Sequence, residues 1–198
     1  MKKKLAKTIS DVLNPFLVSA IVMVLLSFDS TASIADGLKW SLISVTLSVL
    51  PVLAVVVYLV RRRKLDGLFI NPRRQRNKVY LLATAFAVIS CAVLRGLGAP
   101  SLLVATFVAG LVAIFVFMVI NLRWKISLHT GFIAASVTVL TMVYGTTGAL
   151  AAVLIPPVAW ARMEMKLHSL AQVVSGALLS AAMVIVVFRL FGLPGAHI

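Results

Sequence analysis

The sequence has few acidic residues and almost no cysteine. Its 198 residues include five aspartates and glutamates and one cysteine, Cys91. A single cysteine excludes an internal disulfide and any metal site built from several cysteines. Five scattered carboxylates also argue against an oxygen-ligand cage for calcium or magnesium. We therefore expect no metal ion and no other cofactor.

Long polar segments are also missing, and the longest one covers residues 61–78. Hydrophobic residues make up 62% of the chain, whereas an ordinary soluble domain is about 45–50% apolar. Apolar runs of about 20 residues, the length of a membrane-spanning helix, recur along the sequence. This composition excludes a soluble domain and predicts an integral membrane protein, an all-α helix bundle that forms one domain over residues 1–198.

Seven apolar segments are separated by short turns that contain glycine or proline. Six to seven of them are predicted to be transmembrane helices, and Pro51 is expected to kink the second. The sixth is short, with a helical length of about 21 Å, and is expected to end near Pro156 and Pro157. The segments cover residues 12–30, 40–60, 79–97, 101–121, 128–145, 147–160 and 169–191.

Lysines and arginines outnumber the acidic residues, 19 to five, and give a net charge of +14. If the N-terminus is cytoplasmic, residues 1–11, 61–78, 122–127 and 161–168 face the cytoplasm and hold all but three of these bases. An excess of basic residues in cytoplasmic loops is typical of membrane proteins. We interpret the charge as a topology signal that meets anionic lipid headgroups, not as a nucleic-acid surface.

Two histidines and an arginine stand at the ends of apolar segments. His129 opens the fifth segment, and Arg162 and His168 precede the seventh. Ionisable groups in a membrane are costly, so those present usually have a function. Histidine can act as a nucleophile or proton donor near neutral pH, and arginine can clamp a phosphate. The predicted topology places all three on one membrane face with the basic loop 61–78, as an active site requires.

These elements resemble the type 2 phosphatidic acid phosphatases, a family related to the vanadium haloperoxidases. The family's Pro-Ser-Gly-His motif is similar to Ile126-Ser127-Leu128-His129. The family's third motif is Ser-Arg, then five residues, His, three residues and Asp. The similar residues here are Ala161-Arg162, His168 and Gln172, and the spacing from Arg to His is the same.

The family's first motif, a Lys and an Arg in a basic loop, is similar to Lys64 with Arg73 or Arg76, although the spacing here is longer. The resemblance covers roughly residues 61–180 and looks like a bacterial subgroup. It implies a phosphatase-like core over residues 61–191, with residues 1–60 as accessory helices, in a bacterial inner membrane.

The resemblance also implies roles for these residues. His168 would attack phosphorus and form a phosphohistidine, and His129 would protonate the leaving group. Positively charged and hydroxyl groups would bind the phosphate oxygens; they are Lys64, Arg73, Arg76, Ser127 and Arg162. Simpler roles stay open, because Ser127 is also a suitable helix N-cap and the basic residues also set topology.

Two positions depart from the family pattern. Gln172 replaces the aspartate that would orient the nucleophile, so it can accept the hydrogen bond but adds no negative charge. Glu164 would compensate, because a residue four positions before His168 faces the same side of a helical turn. Leu128 replaces a glycine and removes backbone freedom near the phosphate.

The sequence thus predicts a metal-independent membrane phosphatase, with a lipid phosphate or an isoprenoid diphosphate as substrate and possible assembly into a homo-oligomer. The alternative is a catalytically weak or inactive relative that serves as a lipid-binding or assembly subunit, which Gln172 favours. A transporter or channel is less favoured, because such proteins need ionisable groups near the bilayer midplane and this chain has them at one rim.

Overall fold

The computed structural model describes residues 1–65 and 73–193, and this part of the chain is helical and contains no strand. A 3₁₀ turn at Leu150–Leu154 joins α8 to α9. The all-α prediction is therefore confirmed. The helices are α1 (Lys2–Val12), α2 (Pro15–Asp29), α3 (Ile34–Ser48), α4 (Leu50–Arg61), α5 (Arg73–Gly96), α6 (Ser101–Asn121), α7 (Leu128–Tyr144), α8 (Thr146–Ala149), α9 (Ile155–Glu164) and α10 (Leu170–Leu190).

Five helical stretches in this part of the chain are long and apolar enough to cross a membrane, which supports the predicted membrane protein. Helix α7 is apolar but shorter, with 17 residues. The five stretches are Lys2–Asp29, Ile34–Arg61, Gln75–Gly96, Ser101–Asn121 and Leu170–Leu190.

Proline explains where the first two stretches are interrupted. Pro15 is the first residue of α2, and Asn14 Oδ1 accepts the Leu17 N–H at 3.0 Å. Pro51 stands in the first turn of α4, just after α3 ends at Ser48. Proline fits the first turn of a helix because that position needs no N–H donor. The second stretch is therefore interrupted at Val49, two residues before Pro51, where the sequence predicted a kink.

The sixth predicted segment, residues 147–160, does not form one helix. It is divided among α8, the 3₁₀ turn and α9. Pro156 and Pro157 lie in the first turn of α9, so they begin a helix where the sequence was expected to end one. Gly148 packs so closely on α7 that a Cβ there would lie 2.0 Å from the Leu140 carbonyl oxygen.

The chain is grouped into two compact units. The first comprises Met1–Val22 and Lys125–Ile198, and the second comprises Met23–Trp124. These boundaries do not follow the predicted division into residues 1–60 and 61–191. That division and the single-domain assignment stay predictions.

An apolar core joins α2, α7 and α9 in the first unit. Val18, Ile133, Val137 and Val158 are buried together, and Ile9 and Leu13, at the end of α1 and just beyond it, pack against them. This core holds α1 and α9 beside the start of α7.

Helices α7 and α10 meet most closely near their first turns. The Ser127 backbone N–H donates to the Gln172 carbonyl at 3.3 Å. One turn further on, a Cβ added to Gly176 would lie 2.6 Å from the Ser127 carbonyl oxygen and 3.1 Å from Thr130 Oγ1. The contacts advance in the same direction along both helices, so α7 and α10 run parallel and both begin at one end of the unit.

Hydrogen bonds between helices stabilise the second unit. Asn121 Nδ2 donates to Asn77 Oδ1 at 2.6 Å and joins α6 to α5. Ser90 Oγ donates to the Leu47 carbonyl at 3.1 Å and joins α5 to α3. Polar side chains that bond across helices are a common means of association among apolar helices.

The close approach at Gly176 predicts that Gly176→Ala lowers the stability of the protein. The new methyl group meets a backbone carbonyl, which cannot move aside without separating the helices, and such overpacking costs about 1–3 kcal/mol. Thermal unfolding in detergent measures the change. Gly110→Ala is the matched control, because nothing lies within 4 Å of its added Cβ; it should leave the melting temperature unchanged or raise it. Equal melting temperatures for the two variants would contradict the close contact.

Candidate active site

The candidate site is built on the starts of α7 and α10. Ser127 caps α7, with its hydroxyl accepting the Thr130 N–H at 3.4 Å. Ser169 caps α10 in the same way, accepting the Gln172 N–H at 3.4 Å. The N-terminus of a helix carries a partial positive charge. Two such termini at one end of the unit create a region that favours an anion.

The end of α9 brings His168 back towards Arg162. The helix stops at Glu164, and Lys166 adopts a left-handed conformation with φ of 55°. The backbone N–H groups of Leu167 and His168 then donate to the Arg162 carbonyl, at 3.1 and 3.3 Å. The six-residue spacing from Arg162 to His168 therefore covers the last turn of α9 and the turn that brings the chain back to Arg162.

A hydrogen-bond network orients the His168 ring. Gln172 Oε1 lies 3.1 Å from His168 Nδ1 and accepts the Ser169 backbone N–H at 3.2 Å. A backbone N–H can only donate, so the shared atom of Gln172 must be its oxygen. That oxygen can only accept, so in the neutral ring Nδ1 carries the proton and Nε2 carries the lone pair. Gln172 thus makes a contact that orients the His168 ring.

His129 and Ser127 lie in the same region but are buried. His129 is 4% exposed in the first turn of α7, and Ser127 is fully buried. Because α7 and α10 begin at the same end of the unit, the structure places His129 and His168 at that end. Ser127 has the structural role of N-cap that the sequence left open, and its backbone also holds α10.

Arg162 contacts the N-terminal helix. Its side chain is 7% exposed, and Nη1 donates to Ser10 Oγ of α1 at 2.8 Å. Ser10 is itself only 1% exposed. The guanidinium group has five N–H donors, and this bond uses one of them to join α9 to α1. Arg162 therefore has a structural contact in addition to its proposed role in binding phosphate.

Glu164 does not have the geometry on which its prediction was based. We expected it to share a helical turn with His168, but α9 ends at Glu164 and the following residues form the return turn. His168 Nδ1 contacts Gln172 instead. Its role as a compensating carboxylate stays a prediction, without the helical turn that motivated it.

The three basic residues of the predicted first motif belong to the second unit. Lys64 is exposed after the end of α4. Arg73 begins α5, and its side chain lies outside the described part of the structure. Arg76 is 5% exposed, and its Nη2 donates to the Tyr80 hydroxyl at 2.7 Å. Their association with the histidines stays a prediction.

Two residues near His168 were not predicted from the sequence. Lys125 Nζ donates to the Leu167 carbonyl at 2.8 Å and so holds the return turn before His168. Ser169 forms a capping box with Gln172. Ser followed three residues later by Gln is a recognisable capping-box pattern, so the sequence contained a signal for Ser169. It contained none for Lys125, whose partner is 42 residues away.

No protein-family model, no curated protein and no solved structure matches this chain. The resemblance to the type 2 phosphatidic acid phosphatases therefore depends on the motif residues alone. Within the described residues, no three His, Cys, Asp or Glu side chains are grouped as a metal ion would require.

The bond between Arg162 and Ser10 predicts that Ser10→Ala destabilises the protein. The substitution leaves a buried guanidinium with one partner fewer, a change that costs about 1–3 kcal/mol. Thermal unfolding in detergent should show a lower melting temperature. Thr8→Ala removes an exposed hydroxyl on the same helix and should have almost no effect. Similar losses for both variants would show that the buried bond contributes little.

Proposed function

We propose that this chain is an integral-membrane phosphatase that hydrolyses a lipid phosphate or an isoprenoid diphosphate through a phosphohistidine on His168. The observation that supports it most is the network from Ser169 through Gln172 to His168, which leaves Nε2 with the lone pair. A histidine nucleophile attacks through the ring nitrogen that carries the lone pair, so a hydrogen bond that fixes the tautomer supports this role.

The proposed reaction has two displacements at phosphorus. His168 Nε2 forms a bond to phosphorus while the bond from phosphorus to the leaving oxygen breaks, and His129 donates a proton to that oxygen. Water then attacks the phosphohistidine, which releases phosphate and restores the ring. The positive ends of α7 and α10, together with Arg162, would stabilise the charge on the nonbridging oxygens. No step needs a metal ion.

The proposed membrane arrangement extends beyond the five long helical stretches. Helices α7 and α10 run parallel, so the chain between them must return to the end where α7 began. This return supports residues 147–160 as a further crossing and six to seven spans around a phosphatase-like core. With a cytoplasmic N-terminus, the site would face the cytoplasmic leaflet of a bacterial inner membrane.

Release of phosphate from a panel of lipid phosphates and isoprenoid diphosphates, in detergent with a chelator present, tests this proposal. His168→Ala should abolish turnover, because it removes the nucleophile. His129→Ala should slow substrates with poor leaving groups most, since an acidic leaving group needs little protonation. His197→Ala is the control for histidine loss and should retain activity. Equal release by the wild type and His168→Ala would refute the assigned nucleophile.

A second candidate is a catalytically weak or inactive relative that binds lipid or supports assembly. The burial of Arg162 and its bond to Ser10 favour this reading. Arg162 and His129 are both almost completely buried, which leaves a phosphate little access to either side chain. Gln172 favours it too, because its oxygen is shared between the helix cap and the ring and brings no negative charge to the imidazolium.

Gln172→Asp separates a weakened enzyme from an inactive one. A carboxylate at this position would stabilise the charged imidazole and should raise phosphate release. Glu164→Gln in the same chain removes the carboxylate that the sequence predicted beside His168, so the double variant excludes repulsion between two carboxylates. The single and double variants are compared with the wild type in the same assay. If neither exceeds a wild type that releases no phosphate from any lipid, the second candidate replaces the first.

A further inference from the structure

We propose that α1 lies along the surface of an anionic lipid leaflet, with its apolar stripe in the bilayer and its lysines at the headgroup phosphates. This interaction is independent of the proposed phosphatase activity. The proposal follows from the three faces of α1, one buried against protein, one apolar and one basic. The structure fixes their directions relative to the rest of the first unit.

The inner face of α1 is already occupied by protein. Ala6 is fully buried and Ser10 is 1% exposed. Ser10 accepts the hydrogen bond from Arg162, and Ile9 packs against the apolar core. These contacts set the rotation of α1 about its own axis, so the two remaining faces are outward surfaces of the protein.

One outward face is mostly apolar. Leu5 and Val12 are 56% and 54% exposed, and Met1 is fully exposed in line with them. Residues 1, 5, 8 and 12 fall on one side of a helix, and the exposed Thr8 is the polar residue among them. Exposed apolar side chains beside a lysine-rich face are typical of a helix that lies in the membrane interface.

The other outward face is basic. Lys3, Lys4 and Lys7 are exposed there, and Lys2 is exposed at the helix start. Asp11, the only acidic residue of α1, is paired with Lys7. The helix therefore presents an excess of positive charge beside its apolar stripe. Anionic headgroups above an acyl layer have the complementary arrangement.

The end of α1 favours this position over a continuous transmembrane helix. Helix α1 ends at Val12, Asn14 caps the next helix, and Pro15 begins α2. The chain thus has a break between its basic first helix and the apolar α2, where the membrane surface would be. Because Ser10 of α1 accepts a hydrogen bond from Arg162, a helix held at the lipid surface would also be linked to α9.

Spin labels on α1 test the proposal in the full-length protein, reconstituted in vesicles of phosphatidylcholine and phosphatidylglycerol. Cys91→Ser removes the native thiol, and Leu5→Cys, Val12→Cys, Lys4→Cys and Lys7→Cys each provide one label. Labels at 5 and 12 should be relaxed more by oxygen than by a water-soluble nickel complex, and labels at 4 and 7 should show the opposite preference. Water-like values at all four positions, or oxygen preference at all four, would overturn the proposal.

The role of charge is tested by replacing Lys2, Lys3, Lys4 and Lys7 with glutamine in the Leu5→Cys protein. The oxygen preference at position 5 should be lost or strongly reduced. The matched control replaces Arg61, Arg62, Arg63 and Lys64, four exposed bases in the second unit, with glutamine and should retain that preference. If both sets have the same effect, net charge and not α1 recognises the lipid, and the proposal fails.

Discussion

The first unit depends on the close contact between the starts of α7 and α10. Gly176 permits it, because any side chain there would meet the Ser127 carbonyl. The contact brings together two positively polarised helix ends, which repel each other unless hydrogen bonds or an anion compensate. Ser127 and Ser169 provide that compensation within the protein. A bound phosphate would add to it, and this is the physical reason for placing the proposed site here.

The sequence was sufficient to predict the helical class and most of the long apolar helices, because length and composition determine which segments can cross a membrane. Pro51 also pointed to the region where the second stretch is divided into α3 and α4. The single helix predicted over residues 147–160 was wrong, because apolar composition does not reveal that Pro156 and Pro157 start a helix or that Gly148 packs on α7. The sequence also contained no indication that α1 would form a separate basic helix.

The candidate site was predictable where its geometry is local. The resemblance implied that Gln172 accepts a hydrogen bond from His168, and the structure contains this contact between residues four positions apart. The bond between Arg162 and Ser10 joins residues 152 positions apart, so only tertiary structure could show it. The helical turn expected between Glu164 and His168 is absent for a local reason, because α9 ends at Glu164 and Lys166 adopts a left-handed conformation.

The ring tautomer of His168 tests the central claim most directly. Nitrogen-15 NMR of histidine-labelled protein in lipid distinguishes a protonated from an unprotonated ring nitrogen, and His168→Ala identifies the signals. We predict a neutral ring with the proton on Nδ1, and a loss of this preference in Gln172→Ala but not in Gln172→Glu. A wild-type ring protonated on Nε2, or one unaffected by Gln172→Ala, would contradict the orientation that Gln172 is proposed to give the His168 ring.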